Sequence, residues 1–350
     1  MTSLVVKMLE DTLEKARTEG FSSLCLSVTG PNGNYYNWST GEEIQQLELI
    51  SSLHDKLRAH VENWRPYDED PKLDASFACY HCASVPTGFD FLTWLFTQEL
   101  YRIDEDAPGP LKVAFWQGRH PQPNPWLDAV YRPLIKMIGG VEDDRALRRM
   151  GADVHVTRTM AALYRLGAKL PPLRAAGDYD LPRGVVTITL RETDSFPHRN
   201  SDLITWYEFA RFLRARGEQV VVVRDTSKAD EPITGFETCP FASRDLDARM
   251  WLYQNAKLNF FVSNGPWMLA GLTENVPYVT FVQPEEMDSK YDANKPHFWK
   301  LKMGVEIGDQ FPWAGSHQRI IWKKPTYEVI LDAYRKYCDD NLTQLERGAA

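Results

Sequence analysis

From residue 184 onward, short apolar runs alternate with longer amphipathic segments. The runs are "GVVTITLRE" (184–192), "EQVVVVRD" (218–225), "KLNFFVS" (257–263) and "VPYVTFV" (276–282). Each is apolar throughout rather than at every second position, the pattern of a strand buried on both faces of a parallel sheet. Between and after them, segments 201–217, 243–256, 265–275 and 325–345 repeat apolar residues at helical spacing. Ser201 or Asp202 suits the cap of the first of these helices, and Gly217 its stop.

The first half follows a similar rhythm less cleanly. Strands are predicted at 23–28, 74–82, 111–116 and 152–157, and helices at 41–64, 89–103 and 126–138. Thr40 with Glu43 three residues later forms a capping box for the 41–64 helix. Pro133 should kink the 126–138 helix. The N-terminal residues 1–20 read as an amphipathic helix, with Leu4, Val5, Met8, Leu9, Leu13 and Ala16 on one face. Residues 168–184, rich in proline and glycine, break the periodicity and read as a linker. The expectation is an α/β fold: two Rossmann-like domains, 1–167 and 185–350, facing a cleft across the linker. Ligands in such sheets bind beyond the carboxyl ends of the strands.

Composition narrows the function. The 350-residue chain has a formal net charge of -8, which offers no footprint for nucleic acid. No run of about 18 apolar residues exists to span a membrane. The N-terminal helix admits peripheral membrane contact, although packing against the body is the favoured role. Five cysteines are sparse, and Cys79 and Cys82 form an isolated C-x-x-C without the second pair that a structural zinc site needs. Reduced thiols, no metal and a cytoplasmic location are the resulting expectations. The acidic runs at 68–70 and 104–106 lie beside proline in predicted loops, where solvated acids are expected rather than a cation site.

The candidate chemistry gathers at the carboxyl ends of the second-half strands. Arg191, Glu192 and Asp194 follow the first strand, with His198, Arg199 and Asn200 just beyond. Arg224 and Asp225 follow the second strand, and Ser263, Asn264, Gly265 and Pro266 the third. Arginine holds phosphate oxygens bidentately and keeps its charge. Gly265 permits close backbone approach, Pro266 suits a first helical turn, and the N–H groups from Trp267 onward would face an anion. Together these residues outline a diphosphate cradle, which suits a nucleotide-activated sugar whose departing diphosphate must be stabilised. Glu285 and Glu286, after the fourth strand, are placed to meet ribose hydroxyls or to start a helix. No P-loop, G-x-G-x-x-G or G-x-S-x-G occurs. On the acceptor side, the loop "WQGRHPQPNPW" supplies His120 as a candidate base, with Trp116 and Trp126 to stack on sugar faces and His81 as a second, weaker base.

The segments "TLRETDSFPHRNSD", "YEFARFLRARGEQVVVVRD", "DLDARMWLYQNAKLNFFVSNGPWMLA" and "VPYVTF" resemble the nucleotide-sugar domain of bacterial GT-B glycosyltransferases from surface-polysaccharide gene clusters. The matching positions are Arg191, Arg199 to Asp202, Val222 to Arg224, Asp245 and Ser263 to Gly265. The resemblance covers the second half of the chain. It implies a nucleotide-sugar donor and no obligatory metal; the expected reaction is transfer of the sugar to a glycan or other hydroxyl acceptor, with no cofactor. A nucleotide-sugar epimerase or hydrolase, with Glu192 or Asp194 near the anomeric centre, and a non-catalytic nucleotide- or glycan-binding protein are the alternatives.

Overall fold

The computed structural model describes residues 24–29, 35–40, 76–82, 88–116, 124–143, 160–194, 197–283, 299 and 303–348. The chain divides into two compact units, Met1–Asp74 and Ala75–Ala350. In the first, β1 (Leu24–Thr29) pairs antiparallel with β2 (Tyr35–Thr40), Leu24 opposite Thr40. The sequence reading anticipated β1 and a helix after it, but not β2. "YYNWST" is aromatic and β-branched, a strand composition, and Gly-Pro-Asn-Gly stands between the two strands. The helices predicted at 1–20 and 41–64 and the strand at 152–157 lie outside the described residues.

The second unit holds two parallel sheets. The smaller has the order β3 (Phe77–His81), β4 (Leu111–Trp116), β5 (Val141–Asp143). Helix α1 (Asp90–Asp104) links β3 to β4. Helix α2 links β4 to β5 and begins as a π-helical turn, Leu127–Tyr131, before continuing as Arg132–Met137. The expected irregularity is therefore a widened turn just ahead of Pro133, where a missing N–H is tolerated. Helix α3 (Met160–Arg165) follows.

The larger sheet contains β6 (Val186–Thr189), β7 (Val220–Val223), β8 (Glu237–Thr238), β9 (Leu258–Val262), β10 (Tyr278–Phe281) and β11 (Gln318–Ile321). All pairs are parallel, in the spatial order β11-β10-β9-β6-β7-β8. Counted from β6, this is the 3-2-1-4-5-6 order of a doubly wound sheet. Helices α4 (Leu203–Ala215), α5 (Pro240–Arg244), α6 (Leu246–Asn255), α7 (Trp267–Gly271) and α8 (Tyr327–Gly348) accompany it. Neither β8 nor β11 was anticipated from the sequence. Both are short edge strands with polar residues, so their apolar signal is weak.

Side-chain alternation divides the core. Val186, Ile188, Val222, Phe260 and Phe281 face Trp206 and Phe209 of α4 and Ile330 and Tyr334 of α8. Val221, Val223 and Phe261 face the other way, into a core shared with α6, α7 and the smaller sheet. One cluster thus runs from β3 to β9 and joins the two sheets. Residues 168–184 form no helix or strand and are tied to this junction by hydrogen bonds. Gly139 and Arg174 N–H groups bond the carbonyls of Pro172 and Met137 at 3.0 and 3.1 Å, and Asp247 accepts from the N–H groups of Ala176 and Gly177.

Local signals set most helix ends. Asp202, not Ser201, caps α4, accepting from Ile204 N at 3.2 Å. The segment predicted as one helix over 243–256 breaks at Asp245, which accepts from Ala248 N at 2.8 Å and starts α6.

A buried amide stitches the sheet at its middle. Asn259 is fully buried; its Oδ1 accepts from the Thr187 hydroxyl at 2.6 Å, and its Nδ2 donates to the carbonyls of Tyr253 and Pro277. Replacing Asn259 by Ala strands the Thr187 hydroxyl and the Tyr253 carbonyl in a dry interior. We expect Asn259→Ala to lower the unfolding free energy by about 2–3 kcal/mol in urea titrations.

Candidate functional site

The winding of the larger sheet reverses between β6 and β9. The chain leaves β6 for β7 on one side, and leaves β9 for β10 on the other. Such a reversal opens a crevice beyond the carboxyl ends of the two strands. The loop from Arg191 to Ser201 enters it from β6, and the turn from Ser263 to Pro266 enters it from β9.

The loop after β6 is clasped at its base. Arg191 N donates to Ser201 Oγ, and Ser201 N to the Arg191 carbonyl, both at 2.9 Å. Within the clasp, Asn200 Oδ1 accepts from Arg191 Nη1 at 2.6 Å and from Thr193 N at 3.2 Å, while its Nδ2 donates to the Thr193 carbonyl at 2.9 Å. The Asn200 amide is thereby committed to shaping the loop and orienting Arg191.

The two arginines of the loop differ in exposure. Arg191 is buried, 7% exposed, beneath the loop. Arg199 is half-buried, at the end of a short 3₁₀ turn (Pro197–Arg199). Its Nη2 crosses the crevice to the Ser263 carbonyl at 2.7 Å and to Ser263 Oγ at 3.3 Å. One guanidinium therefore bridges the strand-end segments of β6 and β9.

Arg224, the third candidate, has another task. It forms a bidentate pair with Glu192, Nε to Oε2 at 2.9 Å, and its Nη1 donates to the Glu231 carbonyl at 2.6 Å. Both side chains of the pair are buried. The carboxylate holds the Arg224 pKa above its usual value, against the desolvation that would lower it. Asp225 accepts from the Glu192 N–H, tying the loop after β6 to the exit of β7. Arg224 and Glu192 are thus each other's counter-ion at the base of this edge.

The turn after β9 also differs from expectation. Trp267 N donates to Asn264 Oδ1 at 3.0 Å, Met268 N to the Gly265 carbonyl at 3.0 Å, and Leu269 N to the Pro266 carbonyl at 3.2 Å. These N–H groups, expected to face an anion, bond within the turn: the Asn264 side chain takes that of Trp267, and the Gly265 and Pro266 carbonyls take the next two. Helix α7 is also only five residues long, so its dipole is slight. Gly265 does not adopt a positive φ. A β-carbon there would lie 2.3 Å from the Phe89 ring, so close approach is what requires glycine.

His120, Glu285 and Glu286 lie outside the described residues, as do the acids at 68–70. Trp126 is 38% exposed on α2's first turn. Cys79 is buried and Cys82 half-buried; burial pushes the Cys82 thiol up to about 11. Ser201, Asp225 and Phe89 belong to the site's framework: Asp225 was grouped with Arg224 in the sequence, Ser201 was read as a helix-cap candidate within the matching 199–202 segment, and only Phe89 escaped the sequence reading.

No known protein family matches the sequence, and no curated protein does. Among solved structures, the chain is similar to the iron-containing dodecameric glycosyltransferase TibC from enterotoxigenic E. coli H10407. Identity is 14% and the TM-score 0.42, over 72% of this chain and 64% of TibC. The dodecameric iron-containing heptosyltransferase TibC in complex with ADP-D-beta-D-heptose aligns at 13% identity and a TM-score of 0.42, over 75% and 69% of the two chains. E. coli heptosyltransferase WaaC with ADP aligns at 15% identity and a TM-score of 0.33, over 69% and 70%. Among the described residues, no helix is long and apolar enough to cross a membrane.

The pairing of Arg224 separates it from Arg191 and Arg199 experimentally. Arg224→Ala leaves Glu192 buried and uncompensated, and should reduce the unfolding free energy by about 3 kcal/mol. The double variant Glu192→Gln/Arg224→Met should recover most of that loss in the same urea titration.

Proposed function

We propose that this protein is a metal-independent glycosyltransferase that takes its sugar from a nucleotide-sugar donor. The observation that carries the reading is the bridge from Arg199 to Ser263 across the reversal between β6 and β9. A crevice at that point of a doubly wound sheet is where such folds bind nucleotides. Here the group spanning it is one that grips phosphate.

In this reading, the donor's diphosphate lies against Arg199, with Arg191 supplying a second positive charge from below. The bond between the sugar's anomeric carbon and the diphosphate oxygen breaks, and the electron pair leaves with the diphosphate. The acceptor oxygen forms the new bond to the anomeric carbon, and its proton passes to a base. His120 in the loop after β4 is the proposed base for an inverting reaction; in a retaining reaction the departing diphosphate oxygen takes the proton, and no protein base is needed. Fixed guanidinium charge stabilises the departing diphosphate without solvent rearrangement, the role a divalent cation plays elsewhere. The N-terminal half supplies the acceptor side and residues 185–350 the donor side, with 168–184 as the linker between them.

The epimerase or hydrolase alternative loses support from the Glu192–Arg224 pair, which takes one of its two candidate acids out of play. Arg199→Ala and Arg191→Ala decide whether the arginines serve the ligand. Each should keep the fold by circular dichroism. Each should also weaken binding of the best of ADP, GDP, CDP and UDP by about tenfold or more, since a charge-assisted pair is worth roughly 1.5–3 kcal/mol. Unchanged nucleotide affinity in both variants would remove the diphosphate from this crevice. Sugar transfer from a panel of nucleotide-sugars should persist in excess EDTA.

A further inference from the structure

The site at the end of β9 has a neighbour in the other sheet. Gly265 is tied into its own turn through its carbonyl, which accepts from Met268 N. Its α-carbon faces the ring of Phe89. A β-carbon at 265 would lie 2.3 Å from Phe89 Cδ2, 2.9 Å from Cγ and 3.1 Å from Cε2. Contacts under about 3 Å are overpacking, so an added methyl and the ring cannot both keep their places.

Phe89 is firmly placed from its own side. It stands at the start of α1, just beyond the carboxyl end of β3. Its ring packs against the core that joins the two sheets. The residue before it, Gly88, turns the chain with φ of +126°, a conformation that favours glycine. The Gly88 N–H points to the Tyr131 hydroxyl at 3.4 Å. Two residues before Gly265, the Ser263 carbonyl accepts from Arg199. A continuous set of contacts thus runs from Tyr131 through Gly88, Phe89, Gly265 and Ser263 to Arg199.

We infer that Phe89 is a positioning residue for the diphosphate site: its ring, seated on Gly265, sets where the Ser263 turn meets Arg199. The inference rests on the nucleotide reading above. It adds that affinity on the β6–β9 side depends on a side chain from the smaller sheet. Phe89 touches no ligand in this account and acts only through the turn.

The test is a double-mutant cycle read by calorimetric titration with ADP, GDP, CDP and UDP, and by ligand-free unfolding temperature. Phe89→Ala should weaken the best-bound nucleotide by about threefold or more. Gly265→Ala, with ring and methyl in conflict, should weaken it by about tenfold. The double variant Phe89→Ala/Gly265→Ala should return to the Phe89→Ala level, because the ring that clashes is gone. A double variant no better than Gly265→Ala would place the glycine requirement in the turn itself and overturn the inference. Phe89→Ala binding like the wild type would overturn it as well, and decides the matter alone if Gly265→Ala does not fold. If the wild type binds a nucleotide and all variants bind equally, only this inference fails. If the wild type binds none of the four, the nucleotide reading fails and takes this inference with it.

Discussion

Two adjacent parallel strands whose chains depart in opposite directions cannot both be covered by the same connection. At β6 and β9 this leaves the sheet's carboxyl edge open, and the protein closes it with polar side chains instead of backbone. The crossing from Arg199 to the Ser263 carbonyl is the joint on which the local arrangement depends. The clasp between Arg191 and Ser201 fixes where Arg199 starts, and the Asn264 cap on α7 fixes where Ser263 ends. Phe89 sets the turn from the far side.

Charge at this edge is sorted by partner. Glu192 and Arg224 neutralise each other in a buried bidentate pair, and Asp225 accepts from the Glu192 backbone. These groups hold the loops after β6 and β7 together. Arg191 and Arg199 both belong to the loop after β6, in a chain whose net charge is -8. An anion site in an acidic protein must be local in this way, because the long-range field of the surface works against it.

The strands of the larger sheet were legible because each is a short, continuous apolar run, which a sheet covered on both faces demands. β6, β7, β9 and β10 fall inside the predicted runs, α4 falls inside its predicted periodic segment, and α8 starts inside its own and runs past its end to Gly348. Edge strands were not legible: β8 has two residues, and β11 opens on buried Gln318 and Arg319. The candidate site was legible as a place: arginines after strands are visible in sequence, and the structure puts Arg191, Arg199 and Arg224 at the carboxyl edge. Which partner each arginine takes depends on residues far apart in the chain, so the Glu192–Arg224 pair could not be read from the sequence. The turn "SNGP" suggested free N–H groups, but an asparagine one residue before glycine also makes a cap, and packing chose the cap. The demand for glycine at 265 comes from a phenylalanine 176 positions earlier (265 − 89), which local pattern cannot reveal.

The central claim concerns one place: the crevice between the loop after β6 and the turn after β9. Diffraction from crystals grown with saturating ADP, GDP, CDP or UDP tests it most directly. The account predicts density for a diphosphate between these two segments, with its oxygens within hydrogen-bonding distance of the Arg199 guanidinium. Diphosphate bound at another edge of the sheet, or pointing away from Arg199 toward the Glu192–Arg224 pair, would contradict it.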